Sequence, residues 1–155
     1  MELWKEYLIP WAVSNIIAIL FLVSSIRKPK LTRLLFVLLF IWASWINYIT
    51  VHKNPNEYLN YATFTPFKLY ADFINDWFRS HITIFVTLIS FGQALIAIGL
   101  LLKGWIVRLA CFGAIVFFLA IVPLGIGSAF PATIIASVAI YYVQKNDKLN
   151  YLWYF

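Results

Sequence analysis

Acidic residues and cysteine are scarce in this chain of 155 residues, which has six aspartate and glutamate residues and one cysteine, Cys111. A single cysteine excludes a disulfide bond or a dithiol pair within the chain. Charged residues make up 12% of the sequence and hydrophobic residues 63%, whereas soluble domains have about 25% and about 45–50%. This composition indicates an integral membrane protein and excludes an ordinary soluble domain.

Motifs for metal or phosphate chemistry are also missing. The sequence contains no CxxC, HxxxH or ExxH spacing, so we predict no metal site. The Gly125-Ile126-Gly127 segment lacks the preceding strand and the further glycine of a dinucleotide loop. We therefore assign no catalytic residues, and we predict no nucleic-acid partner despite the net charge of +6.

Long apolar runs are what the sequence has in abundance. The first four are close to the roughly 20 residues that a membrane-spanning helix needs, and a fifth, shorter run follows a break rich in proline and glycine. We predict one all-α membrane domain covering residues 1–155, in contact with the lipid bilayer, with five transmembrane helices at about 8–26, 33–51, 82–102, 105–122 and 129–144.

The distribution of charge predicts how these helices are oriented. Eight of the twelve basic residues lie in the connections at one end and after the last helix: Arg27, Lys28, Lys30, Arg33, Lys103, Arg108, Lys145 and Lys148. Five of the six acids lie at the other end: Glu2, Glu6, Glu57, Asp72 and Asp76. The positive-inside rule then predicts an outer N-terminus and a cytoplasmic C-terminus.

The connection between the second and third runs contains a helix start signal, Thr65 as N-cap with Pro66 in the first turn. We predict an amphipathic helix at about 66–79 that lies in the outer interface. Two interpretations stay open for its aromatic face. It is either a lid or docking surface, or an aromatic anchor of the kind found at membrane boundaries.

Polar residues inside the bundle give the first candidate site. Ser44, Asn47 and Tyr48 are predicted to share a face of the second helix, and we expect this face to meet a polar stripe on the third helix, made of Thr83, Thr87 and Ser90 with Gln93 beside it. The polar groups either converge on a ligand cleft or form hydrogen bonds between helices. Small residues predict close packing of the fourth and fifth helices through Ala110, Gly113, Ala114, Ala132, Ala136 and Ala139.

The break from Pro123 to Pro131 gives the second candidate site. If the last helix begins at Pro131, it is too short to cross the bilayer alone, and the break enters the membrane. We then expect free amides around Ser128 to Ala132 to face a carbonyl or an anionic head group, and we predict Gly127, Ser128 and Phe130 as ligand-binding residues. The alternative is a tight outer loop, with the last helix extended back to Gly127.

Three motifs give the chain a resemblance to a known family. They are RLLFVLLF from Arg33, NPNEYLNYA from Asn54, and GQALIAIGLLLKGWIVRLA from Gly92. From about Arg33 to Val143 the chain resembles the DoxX-like family of small bacterial membrane proteins. The resemblance implies a four-helix bundle to which this chain adds one N-terminal helix. Many relatives carry glutamate where Gln93 stands.

Members of that family are associated with thiosulfate:quinone oxidation or with membrane redox-stress complexes. The resemblance therefore implies an accessory subunit of the bacterial inner membrane that binds a quinone or similar lipophilic molecule and associates with a membrane or periplasmic redox partner. Two alternatives stay open: a binder or transporter of lipids or small hydrophobic solutes, and a structural assembly factor.

Overall fold

The computed structural model describes residues 2–154, with side chains from Lys5 onward, so the Glu2 side chain lies outside the described part. All regular secondary structure in this part of the chain is helical, and it has no β-strand. Its elements are α1 (Glu2–Arg27), α2 (Pro29–Lys53), a 3-10 segment (Pro55–Asn60), α3 (Tyr61–Phe64), α4 (Lys68–Phe73), a π-helical segment (Ile74–Phe78), α5 (Arg79–Leu101), α6 (Trp105–Ile121), a second 3-10 segment (Val122–Ser128) and α7 (Ala132–Asn146).

Four helical stretches are long and apolar enough to cross a membrane, which indicates a membrane protein: Lys5–Arg27, Pro29–Lys53, Lys68–Leu101 and Trp105–Ser128. The first four predicted spans fall within them, except that the third, at 82–102, ends one residue beyond Leu101. The fifth, predicted at 129–144, begins only at Ala132 and has 15 residues. At 1.5 Å per residue it is about 22 Å long, shorter than a hydrocarbon core of about 30 Å.

The separate helix predicted at 66–79 is not observed as such. The helix begins at Lys68 after Phe67, and it continues through a π-helical turn into α5. Thr65 is not its N-cap: the Thr65 hydroxyl accepts from the amide of Phe67, which lies just before the helix (3.3 Å), and donates to the carbonyl of Pro123 (2.6 Å). Along this helix Ile74 and Phe78 are buried, while the rings of Phe73 and Trp77 are exposed.

The helices pack as an up-and-down bundle in which α2 lies mainly against α5, α1 against α7, and α6 between α5 and α7. The small-residue prediction holds only in part. Helices α6 and α7 do contact each other, but Ala110 stands against α5, where a Cβ added to Gly99 would lie 2.8 Å from the Ala110 Cβ. Gly113 likewise faces Ile96 of α5. The stripe on α6 therefore serves two neighbours, since the middle helix must approach both closely.

One end of the bundle collects the α1–α2 and α5–α6 turns and the segment after α7, and we call it the basic end. The tail after α7 closes this end. Its residue Leu149 accepts from the amide of Gly104 (2.8 Å), and its residue Leu152 donates to the carbonyl of Leu101 (3.0 Å). Leu149 and Leu152 are both buried. At the opposite end the segment from Asn54 to Phe67 meets the break after α6.

Candidate functional site

The polar faces of α2 and α5 meet in the bundle interior. Ser44 and Ser90 bind each other's backbone: the Ser44 hydroxyl donates to the carbonyl of Ser90 (2.8 Å), and the Ser90 hydroxyl donates to the carbonyl of Ser44 (2.6 Å). Hydroxyl-to-backbone bonds between helices are typical of membrane bundles. This pair joins the two helices and uses both of its hydroxyl protons.

One turn away, three side chains form a hydrogen-bonded chain. The Tyr58 hydroxyl donates to Asn47 Oδ1 (2.9 Å), and Asn47 Nδ2 donates to Gln93 Oε1 (2.9 Å). Burial, followed by the nearby Tyr61 phenol, raises the pKa of Tyr58 to about 12. The Tyr58 hydroxyl therefore stays protonated at neutral pH and acts as a donor. That role fixes the orientation of the Asn47 amide, and the Asn47 amide in turn fixes that of Gln93.

This chain of bonds leaves one strong donor unused. Gln93 is 2% exposed, and its oxygen accepts from Asn47. Among residues 2–154, no group accepts a hydrogen bond from its nitrogen Nε2. The Nε2 atom is not fully enclosed, since Thr133 Oγ1 is the only fully enclosed side-chain polar atom without a partner in the described ranges. We call Tyr58, Asn47 and Gln93 the amide network, and the Nε2 group is the point at which it can accept a further partner.

Two predicted members of the cleft lie elsewhere. The Tyr48 side chain is 51% exposed and packs on the His52 ring at 4.4 Å between centroids. One residue step turns a helix by about 100°, so Tyr48 leaves the face that carries Asn47. Thr87 is half-buried on α5, and its side chain makes no hydrogen bond with any group in the described ranges. Tyr58 was not predicted, because it belongs to the outer connection.

The break after α6 is folded against the outer connection. Gly125 has φ +64°, and a Cβ there would lie 2.8 Å from the carbonyl oxygen of Phe64, so only glycine fits this position without strain. A Cβ on Gly127 would lie 2.5 Å from the Tyr61 ring. Tyr61 and Phe64 of the outer connection therefore lie directly against the break.

The expectation of free amides in the break is wrong. The amides of Ala129, Phe130 and Ala132 donate to the carbonyls of Ile126, Gly125 and Ala129. The Ser128 hydroxyl donates to the carbonyl of Gly125 (3.0 Å), and the Phe130 side chain is 43% exposed. The break bonds to itself because its 3-10 turns bring each amide back to a carbonyl three to five residues earlier.

Helix α1 binds the remaining carbonyls of the break. Trp11 Nε1 donates to the carbonyl of Phe130 (2.6 Å), and Asn15 Nδ2 donates to the carbonyl of Ala129 (3.1 Å). Asn15 also donates to the carbonyl of Trp11 in its own helix (2.9 Å). Gly127, Ser128 and Phe130 thus belong to a packed joint between α1, α6 and α7, and the unpaired buried polar atom beside this joint in the described ranges is the hydroxyl oxygen of Thr133.

Arg33 is the most completely buried charge in the described ranges, and the sequence analysis used it only as one of the basic residues that predict the topology. Arg33 is 0% exposed. Its Nε donates to the carbonyl of Leu100 (2.6 Å), its Nη2 to the carbonyl of Leu102, and its Nη1 to Asp147 Oδ2 (2.8 Å). We call this set the Arg33 clasp. One sequence signal could have found it, since Asp147 is the only acid predicted on the basic side.

Metal ligation has no support in the described ranges, where no group of three or more histidine, cysteine, aspartate or glutamate side chains comes together. The chain matches no family model, no curated protein and no solved structure. The DoxX-like resemblance therefore stays a hypothesis drawn from the sequence, and the functional argument depends on the amide network.

Proposed function

We propose that the chain is a DoxX-like accessory subunit that binds a quinone or similar lipophilic molecule and associates with a redox partner in the bacterial inner membrane. The observation that carries the proposal is the unused Nε2 donor of Gln93 in a residue that is 2% exposed. A quinone offers carbonyl oxygens on an apolar body, which suits one amide donor in an apolar bundle.

The amide network supports this assignment because it orients the donor before a ligand arrives. Tyr58 donates to Asn47, and Asn47 donates to the Gln93 oxygen, so the Nε2 group is turned away from Asn47. A group fixed in this way loses less conformational entropy when it binds. Since so little of Gln93 is accessible, a ligand reaches it only when neighbouring side chains of α2 or α5 move.

The proposed topology belongs to the same assignment. The connections place Arg27, Lys103 and Lys145 at one end of the bundle and Glu57 and Asp72 in the segment that joins α2 to α5. We propose a cytoplasmic basic end, an outer N-terminus, and α7 as a fifth span whose short helix is completed by the break. The aromatic side of Lys68–Phe73 then lies in the outer interface.

A structural assembly factor is the second candidate, and the Ser44–Ser90 pair favours it. Each hydroxyl of that pair donates to the backbone carbonyl of the other residue, so neither has a proton left for a ligand. If Gln93 is merely another interhelical contact, its loss should affect stability and nothing else. Interhelical hydrogen bonds in membrane proteins contribute about 0.6 kcal/mol on average.

The test is retention of quinone by protein purified in a mild detergent and extracted for mass spectrometry. We expect quinone in the wild-type protein and at least tenfold less in Gln93→Leu. Ser44→Ala is the matched control, because it removes a hydrogen bond from the same helix interface without touching the amide network. It should retain quinone at the wild-type level.

The other results separate the alternatives. Phospholipid without quinone supports a lipid binder, and no lipophilic molecule at all, together with destabilisation by Gln93→Leu, supports the assembly factor. Equal quinone retention by Gln93→Leu and the wild type contradicts the assignment of Gln93. A redox protein identified in the same preparation would support the proposed partner, and its absence would count against that partner.

A further inference from the structure

A groove runs along the surface between α1 and α2 near the basic end, far from the amide network in the chain. Its volume is about 420 Å³. The side chains that line its length are apolar and belong to both helices: Ile17, Leu20, Phe21 and Leu35. Ser24, Arg27 and Lys28 line its end, and nearly all of the surface that lines the groove is apolar.

The groove has the length of one membrane leaflet. From Ile17 to Lys28 the chain rises by eleven helical steps, or about 16 Å at 1.5 Å per residue. Half of a hydrocarbon core of about 30 Å is about 15 Å. An acyl chain that lies in the groove with its end near Ile17 would therefore place its head group beside Arg27 and Lys28.

The charge at this end calls for an anion. Arg27 and Lys28 are exposed, and the only ion pair found among the described side chains is that of Arg33 with Asp147. The first turn of α2 contains no acid. The Ser24 hydroxyl is hydrogen-bonded to the Thr32 hydroxyl (2.7 Å), which is also within hydrogen-bond distance of the carbonyl of Lys28 (3.2 Å).

We propose that this groove binds an anionic phospholipid, with an acyl chain along the apolar length and the phosphate on Arg27, Lys28 and the Ser24 hydroxyl. Basic pockets between transmembrane helices recognise lipid head groups by the same chemistry. The proposal does not depend on quinone binding, because the groove and the amide network share no residue.

The test is native mass spectrometry of the full chain in detergent, titrated with dioleoyl phosphatidylglycerol or dioleoyl phosphatidylcholine. We expect one tightly bound phosphatidylglycerol, with an affinity at least tenfold above that of phosphatidylcholine. Replacing both cations, Arg27→Gln with Lys28→Gln, should lower the phosphatidylglycerol affinity by about 10-fold to 30-fold. Leu20→Trp, which fills the groove, should lower the affinity for both lipids.

The matched control is Lys145→Gln with Lys148→Gln. It removes the same charge at the same end, from side chains that line a different groove beside Asp147. It should leave the phosphatidylglycerol affinity within about twofold of the wild type. Equal binding of the two lipids, an equal loss in the control pair, or no effect of Leu20→Trp in a protein that elutes as the wild type does would each overturn the proposal.

Discussion

The Arg33 clasp can be tested by removing either member of its ion pair. Arg33 joins three parts of the basic end: its own helix α2, the C-terminal carbonyls of α5, and Asp147 after α7. The last carbonyls of a helix have no partner within that helix. Arg33 therefore satisfies backbone groups of α5 and fixes the tail at the same time.

The expected magnitude follows from burial. Arg33 is 0% exposed and the side chain of Asp147 is 6% exposed, so Asp147→Ala leaves a guanidinium charge without a counter-charge in the interior. Removing one partner of a buried pair costs about 3–5 kcal/mol. Because the two carbonyl contacts remain, we expect about 3 kcal/mol for Asp147→Ala. We expect a similar loss for Arg33→Met, which leaves the carboxylate and two carbonyls without donors.

The double variant distinguishes a coupled pair from two independent contacts. With both charges gone, no uncompensated charge remains, so Arg33→Met with Asp147→Ala should cost about 3–4 kcal/mol, well below the sum of the single losses. Unfolding in mixed micelles with increasing dodecyl sulfate, followed by circular dichroism, measures these free energies. Lys148→Met is the control, because it removes an exposed charge next to Asp147. Losses below about 1 kcal/mol for both single variants, or strict additivity in the double variant, would refute the reasoning.

Two further predictions concern the break and the topology. Gly127→Ala should destabilise the protein by about 1–3 kcal/mol in the same assay, because the added Cβ lies 2.5 Å from the Tyr61 ring. Gly92→Ala is its control and should be neutral or stabilising, because a Cβ there meets nothing within 4 Å. A larger loss for Gly92→Ala than for Gly127→Ala would contradict the packing of the break. Cysteines placed at Asn56 and Asn146 in a Cys111→Ser background should react with an impermeant reagent from opposite sides of the membrane, Asn56 from outside, and labelling of both from one side would exclude the proposed orientation.

The helices that could be predicted from sequence are those whose surroundings are uniform. Lipid accepts any apolar side chain, so the runs at 8–26 and 33–51 show their limits to within a few residues of α1 and α2. The meeting of Asn47 with Gln93 was also predictable, because each helix offers few polar residues and a buried amide needs a partner. Periodicity could not place Tyr48 correctly, since a face is known only to about one residue.

Contacts between distant segments could not be predicted in this way. Arg33 and Asp147 are 114 residues apart, and Thr65 and Pro123 are 58 apart. Both depend on how connections fold over the ends of the bundle, which hydrophobic patterns do not encode. The break shows the same limit. Its proline and glycine residues predicted irregular backbone, but they did not show that the turns would pair the amides of Ala129 and Phe130 or that α1 would donate to the carbonyls.

The hydrogen bonds of the break help to explain how a helix as short as α7 can belong to a membrane bundle. Irregular backbone is tolerated at the depth of the hydrocarbon only where protein satisfies its polar groups. Trp11 and Asn15 bind the carbonyls that precede α7, and Thr65 binds the carbonyl of Pro123 after α6. Helix α1 packs along α7 and donates hydrogen bonds to two carbonyls of the break, so it supplies partners for the backbone at the point where the chain reverses direction between α6 and α7.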